Sequence, residues 1–286
     1  MPVHLKKTMT DRRIVAHIEN LEHVYPSGVH ALKNINLDFY AGQITAIVGQ
    51  NGSGKTTISK HFNGLLRPTS GRIEINGRDV AGRRVSEMAL EVGYVFQNPS
   101  YQLFCASVKE EVRFGLKNLK LKDEEVKSRS RQIMEKFDIW NIRNMQPVSL
   151  SSGSKKIVAL ASVYAMDPGI LFLDEPTTGQ DQAGKTRLGL LAREMKAAGK
   201  TIIIISHDMD FVAEYAERVI VMNEGEVLLD GSVDEVFTRK DIMKKAHLMP
   251  PQYYRIVNHL HIPTDGSKMT NDKIARYLVQ EGYFNE

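Results

Sequence analysis

Cysteine is almost missing from this sequence: Cys105 stands alone among 286 residues. One thiol can form neither an internal disulfide nor a multi-cysteine zinc centre, and such a composition fits a reducing compartment. Nothing beside Cys105 marks it as catalytic, so it is expected to be small buried filler. Long apolar runs are missing too. The longest aliphatic run, Ile202 to Ile205, falls far short of the about 20 residues needed to cross a bilayer. Service to a membrane would therefore require docking onto something embedded there. The opening MPVHLKKTMTDRR carries charge without an apolar core, so it does not read as a signal peptide. A large excess of one charge is also absent. The 38 Lys and Arg against 34 Asp and Glu leave +4, too little and too dispersed to point to nucleic acid. No internal repeat or low-complexity tract interrupts the chain.

What is present is enough apolar residue, 42%, for one large α/β domain or one domain with appendages. RIVAHIENLEHVY, INLDFY and QITAIVG read as strands, and TTISKHFNGLL as a helix ended by Gly64. Asn76-Gly77 inside GRIEINGRDV is a hairpin signal, and EVGYVFQ is a further strand. Residues 106 to 166 turn helical: ASVKEEVRFGLKN opens with Ser107 and Glu110 as a capping box, followed by DEEVKSRSRQIMEKF and SKKIVALASVYAM. ILFLD and TIIIIS are apolar runs of the kind buried on both faces of a parallel sheet. RVIVM, NEG and EVLLDG make a hairpin. A tail from about residue 240 carries Pro250-Pro251 and the amphipathic NDKIARYLVQEGY.

The strongest pattern is GQNGSGKT, Gly49 to Thr56, which fits G-x-x-x-x-G-K-[ST] at every fixed position between a strand and a helix. Glycines let consecutive N–H groups face an anionic phosphate, helped by the helix N-terminus. The cradle is expected from Gly49, Asn51, Gly52, Ser53, Gly54, Lys55, Thr56 and Thr57. Lys55 would reach the β- and γ-phosphates, and the Thr56 hydroxyl would ligate Mg²⁺. ILFLDEP delivers two carboxylates at a strand end: Asp174 for the metal's coordination shell, Glu175 as general base on the attacking water. His207 ends another buried strand, where α/β proteins bind ligands, and could donate to the γ-phosphate. His259 and His261 would share one face of a strand, but without further ligands a metal there is not expected.

In this order the segments resemble the ATPase subunit of ATP-binding cassette (ABC) transporters. The resemblance covers about residues 14 to 240, from Tyr25 through GQNGSGKT, Gln97 in VFQNP, Leu150 to Ser154, ILFLDE and TGQD to His207. It implies an α/β P-loop nucleotide-binding domain with an antiparallel β subdomain, a helical subdomain at about 98–168 and a small C-terminal extension. The cassette would occupy residues 11–240. By resemblance Tyr25 stacks on adenine, Gln97 bridges Mg²⁺ and the transporter-contacting loop, and ATP lies between two subunits. A narrower resemblance, carried by VFQNPSYQLFCASVKEEVRFG, SHDMDFVAEYAERVIVMNEGEVLLDG and MPPQ, is to the ATPases of energy-coupling factor transporters, which drive vitamin and transition-metal uptake. It implies a peripheral protein on the cytoplasmic face of the membrane. Its partners would be a second ATPase, an integral coupling subunit and a substrate-binding membrane subunit. Glu110 and Glu111 would suit basic residues of a docking partner or form a solvated face. Residues 241–286 would hold two ATPases together or pack on their own domain.

One segment departs from that family. Its signature is typically L-S-G-G-Q, and here Leu150, Ser151, Ser152, Gly153 and Ser154 stand instead, with Ile157 where arginine is usual. Ser151 and Gly153 would still meet a γ-phosphate. If position 152 needs positive φ, a serine there costs roughly 1 to 2 kcal/mol. Because each signature serves the partner's nucleotide, the expectation is a lopsided heterodimer, with this chain's Lys55, Asp174, Glu175 and His207 completing the active site. Alternatives are the ATPase of a binding-protein-dependent importer and a clamp protein of translation or repair. A P-loop kinase would have no use for the elements at 97, 150 and 181.

Overall fold

The computed structural model describes residues 13–263, 269, 271–281 and 283. Residues 1–12, on which the signal-peptide expectation rests, lie outside them. β1 (Ile14–Val24) and β2 (His30–Tyr40) pair antiparallel. β3 (Ile44–Val48) leads through the glycine loop into α1 (Lys55–Phe62). β4 (Ser70–Ile75) and β5 (Arg78–Asp79) form the expected hairpin. Asn76 and Gly77 both take positive φ, 51° and 71°, as a two-residue turn requires. After α2 (Val85–Met88) and β6 (Val92–Val95) come three longer helices, α3 (Val108–Asn118), α4 (Asp123–Lys136) and α5 (Ser152–Ala165). Alternation then returns with β7 (Ile170–Asp174), α6 (Gln182–Ala197), β8 (Thr201–Ile205) and α7 (Met209–Tyr215). β9 (Arg218–Asn223) and β10 (Glu226–Ser232) make the second hairpin. The chain continues into α8 (Val233–Thr238), α9 (Lys240–Lys245), α10 (Gln252–Leu260) and α11 (Asn271–Gln280).

Two sheets result, one antiparallel in the order β2-β1-β4-β5 and one mixed in the order β10-β9-β3-β8-β7-β6. In the second, β9, β3, β8, β7 and β6 run parallel. The four isoleucines of β8 show why that run is unbroken. Ile203 and Ile205 face the core that the antiparallel sheet and α1 share, whereas Ile202 and Ile204 face the core built with α5 and α6. A strand covered on both faces needs apolar residues at every position, each contributing about 1.5–3 kcal/mol. Phe62 of α1 ties the first core together, its ring 5.3 Å from Phe39 and 4.8 Å from Phe172.

The helical unit corrects two expectations. Ser107 caps α3 by accepting the Glu110 N–H, but the Glu110 carboxylate turns to Lys117 at 2.9 Å, so the capping box is not closed. Glu111 is buried rather than solvated: it accepts the N–H groups of Phe104 and Cys105 at 3.0 and 2.8 Å and holds that loop. Cys105 is only half-buried, and burial together with the Glu111 carboxylate pushes its thiol up to about 11, so it is inert. In the tail, His259 lies on α10 and His261 is that helix's left-handed C-cap. They do not share a strand face, and no metal-binding cluster occurs among the described residues.

Candidate active site

The glycine loop is shaped by contacts that exclude side chains. A Cβ on Gly49 would lie 2.3 Å from the Met222 carbonyl oxygen, and one on Gly54, at φ 102°, 2.8 Å from that of Ala31. Behind this curl Lys55 is buried, donating to the carbonyls of Gly49 and Gln50 at 2.7 and 2.8 Å. Burial lowers its pKa, opposed by the Glu175 and Asp174 carboxylates.

One open cleft of about 470 Å³ gathers most of the expected residues: Tyr25, Asn51, Gly52, Gly54, Lys55, Thr56, Thr57, Gln97, Asp174, Glu175 and His207. Gly49 and Ser53 form the buried back of the loop and do not line it. At the end of β7, Asp174 accepts the Tyr94 hydroxyl at 2.7 Å, and Tyr94 in turn meets Ser59 at 3.1 Å. Burial raises the Asp174 pKa against that hydrogen bond. Glu175 is held in the left-handed region at φ 46°. Its N–H donates to Ile205 at 2.8 Å, and His207 Nδ1 lies 2.6 Å from its Oε1. Burial raises the Glu175 pKa, with His207 opposing. A carboxylate made more basic by burial and placed beside an imidazole is suited to accepting a proton from water. His207 itself is 57% exposed and faces the cleft. Tyr25 joins the same wall, its hydroxyl 3.2 Å from Thr57 Oγ1 and its ring edge-on to His23.

Ser151 and Gly153 are elsewhere. With Ser152, Ser154 and Ile157 they line a second cleft completed by residues 179–181, Ala183, Gly184 and Arg187, which shares no residue with the first. Ser151 caps α5, accepting the Ser154 N–H at 3.2 Å. Ser152 is the first residue of that helix and does not take positive φ. The anticipated strain at position 152 is therefore absent: the serine sits in ordinary helical backbone.

A profile of the ABC transporter family matches residues 32–178, more than half of the chain and spanning both the Gly49–Thr56 loop and the carboxylates at the end of β7. The chain belongs to the ABC transporter family. This cassette is 47% identical over 234 residues to a putative ABC transporter ATP-binding protein of Methanosarcina mazei, covering 82% of this chain and 40% of that protein. It is 42% identical over 252 residues to the energy-coupling factor transporter ATP-binding protein EcfA2 of Clostridium perfringens, covering 85% and 88%. The solved structure of cbiO1 from Clostridium perfringens, part of the ABC transporter complex cbiONQ, superposes with a TM-score of 0.75 at 40% identity, covering 85% of this chain and 98% of that one. The chain spans about two fifths of the length of the first curated relatives it matches.

Sequence reasoning overlooked three site residues of the cassette. Tyr94 reaches Asp174 only because β6 lies beside β7, pairing Tyr94 with Phe172. Arg187 enters the second cleft from α6 while bonding the Phe137 carbonyl at 2.6 Å. Lys156 is buried in α5 behind the Glu175 turn, where burial lowers it to about 8 against the pull of Glu175 and Asp174. A charged residue beside the apolar run Ile157 to Ala161 was the one available signal for it.

Proposed function

We propose that the chain is the ATP-hydrolysing subunit of an energy-coupling factor transporter, working as one of two paired cassettes beneath a membrane-embedded partner. The observation that carries the reading is the convergence of Lys55, Asp174, Glu175 and His207 on one cleft, with the base and the imidazole 2.6 Å apart. The kinship with EcfA2 and cbiO1 supports the transporter class.

In this reading Tyr25 stacks on adenine, and the loop from Gly49 to Thr57 cradles the phosphates with its N–H groups. Lys55 exchanges its carbonyl partners for the β- and γ-phosphate oxygens. The Glu175 carboxylate takes a proton from the attacking water as the γ-phosphorus bond to the bridging oxygen breaks, giving ADP and phosphate. His207 positions that water and the γ-phosphate. A hydroxyl, a carboxamide and a carboxylate are the hard oxygen donors that suit Mg²⁺. Thr56, Gln97 and Asp174 would hold it, Asp174 oriented by the Tyr94 hydroxyl. When bound, the metal would neutralise charge on the transferred phosphoryl group.

Two clefts without a common residue support pairing: the half-site of Ser151 and Gly153 meets the partner's nucleotide. The partner is a second cassette, in a heterodimer whose lopsidedness comes from Ser154 and Ile157, not from strain at Ser152. Residues 11–240 form the ATPase, with its helical subdomain at about 98–168. The extension 241–286 contacts the second ATPase. Exposed Tyr101 and Phe104, 82% and 67% accessible, a few residues after Gln97 in the chain, offer an apolar seat for the integral coupling subunit. A separate membrane subunit would bind the vitamin or transition-metal ion. No described helix is long and apolar enough to cross a membrane, which fits a peripheral place on the cytoplasmic face. Capture from detergent-solubilised membranes tests this: an integral subunit and a second cassette should co-purify, with ATPase activity that Lys55→Ala abolishes. Recovery of ribosomes or DNA, or of no membrane subunit, would overturn it.

A further inference from the structure

Lys156 is 2% exposed, yet it carries an ammonium group into the interior of the cassette. Its Nζ donates to three carbonyl oxygens: Glu175 at 2.6 Å, Pro176 at 2.9 Å and Thr178 at 3.1 Å. These use all three donors of the group. The three carbonyls belong to one turn, which starts with Glu175 at φ 46° and reaches Gly179 at φ 73°. A non-glycine residue in that region is strained and persists only where its surroundings over-determine it. Here they do. The Glu175 N–H is fixed to Ile205 of β8, and its carbonyl is fixed to Lys156 of α5. The side chain is thereby aimed at His207 from a backbone held on both sides.

The N-terminus of α5, just ahead of Lys156, lines the second cleft. Ser151 caps the helix and lies five residues before Lys156, roughly 7.5 Å of helical rise. Nothing flexible separates them, since the helix runs unbroken from Ser152 to Ala165. The same turn continues into Gly179, Gln180 and Asp181, which line that second cleft.

Resting on the reading of Glu175 as the base, we propose that Lys156 is a positioning residue, a rigid link that fixes the backbone of this chain's base to the helix serving the partner's nucleotide. Occupancy of the Ser151 half-site and alignment of Glu175 are then one mechanical event. A shift of the α5 N-terminus is passed through the ammonium to the Glu175 carbonyl.

The experiment compares Lys156→Met, which keeps the stem without donors, and Lys156→Arg, which keeps the charge and the donors, in the full chain assembled with its partner cassette. ATPase kinetics and ATP affinity are read alongside amide hydrogen exchange of the nucleotide-free chain. Lys156→Met should lower kcat at least tenfold and leave ATP affinity within twofold. It should also speed exchange of the Thr178 and Gln180 amides, which close the turn onto Glu175 and Thr177 at 3.2 and 3.0 Å, by tenfold or more. Lys156→Arg should recover most of kcat and of the protection. If Lys156→Met does not fold, Lys156→Gln, with two donors, should show an intermediate loss. Wild-type kcat and protection in the folded Met or Gln variant would overturn the link, as would a loss of kcat that a folded arginine variant does not restore. An assembled wild type that hydrolyses no ATP would instead sink the reading of Glu175, and the exchange measurement would still decide whether Lys156 holds the turn.

Discussion

Glu175 works from a conformation that its own sequence does not favour. Three contacts meet on it: the Ile205 carbonyl at the end of β8, the Lys156 ammonium of α5, and the imidazole of His207 just beyond β8. Glu175→Gln keeps the shape and removes the proton acceptor. Turnover should fall a hundredfold or more, with ATP affinity retained; single-turnover hydrolysis and equilibrium nucleotide binding check this. Lys156 adds a pH dependence. Its amine is held down to about 8 by burial, and only the protonated form has three donors for the three carbonyls. The kcat should accordingly decline as pH rises through about 8, and Lys156→Arg, which does not titrate there, should flatten that alkaline limb in a pH–rate profile. Position 152 teaches the opposite lesson. A serine that breaks a family pattern proves to sit in relaxed helix, so Ser152→Gly should change turnover less than twofold, while Ser154→Gln has the larger effect. A motif records which residue is unusual; only the backbone tells whether it is strained.

At the scale of elements, the strand-loop-helix unit β3 to α1 was legible because its signals are local. A buried strand, glycines where φ is positive, and a helix that starts directly after them all read from consecutive residues. Gly54→Ala should cost about 2 kcal/mol or more. The methyl would meet the Ala31 oxygen and Leu32 Cδ2, each at 2.8 Å, in a left-handed backbone; thermal denaturation and nucleotide binding should both register the loss. α3 was legible in its start and not in its charges. Ser107 capped it as expected, but whether Glu110 or Glu111 turned inward depended on the loop at Phe104 and Cys105, which no helical period reports. The tail shows the same limit. Tyr254 is fully buried and its hydroxyl donates to the Asp234 carboxylate, which also accepts the Met269 N–H at 3.0 Å. This bolts α10 to α8. Tyr254→Phe leaves a buried carboxylate short of a donor and should cost about 1–3 kcal/mol, visible as earlier proteolysis after residue 240 in a limited digest.

For the whole molecule, the separation of the two clefts has a direct physical consequence. On the proposed reading, a nucleotide seated against Lys55 meets the loop and carboxylates of one chain, and a Ser151 half-site comes from another. Saturating ATP with the Glu175→Gln change should therefore double the sedimenting mass when a cassette bearing an intact L-S-G-G-Q is added. A particle that stays monomeric under those conditions would refute the sandwich. By itself the sequence determined the order of strands and helices, the glycine loop between β3 and α1 and the pair of carboxylates at the end of β7. Those depend on contiguous residues: hydrophobic period, turn glycines and the chemistry of adjacent side chains. Only the tertiary structure decided that Tyr94 supports Asp174, that Lys156 supports Glu175, and that Ser151 stands apart from Lys55. These follow from strand order and from helix packing between segments 80 and 19 residues apart in the first two cases, where long-range burial, not local pattern, chooses the neighbours.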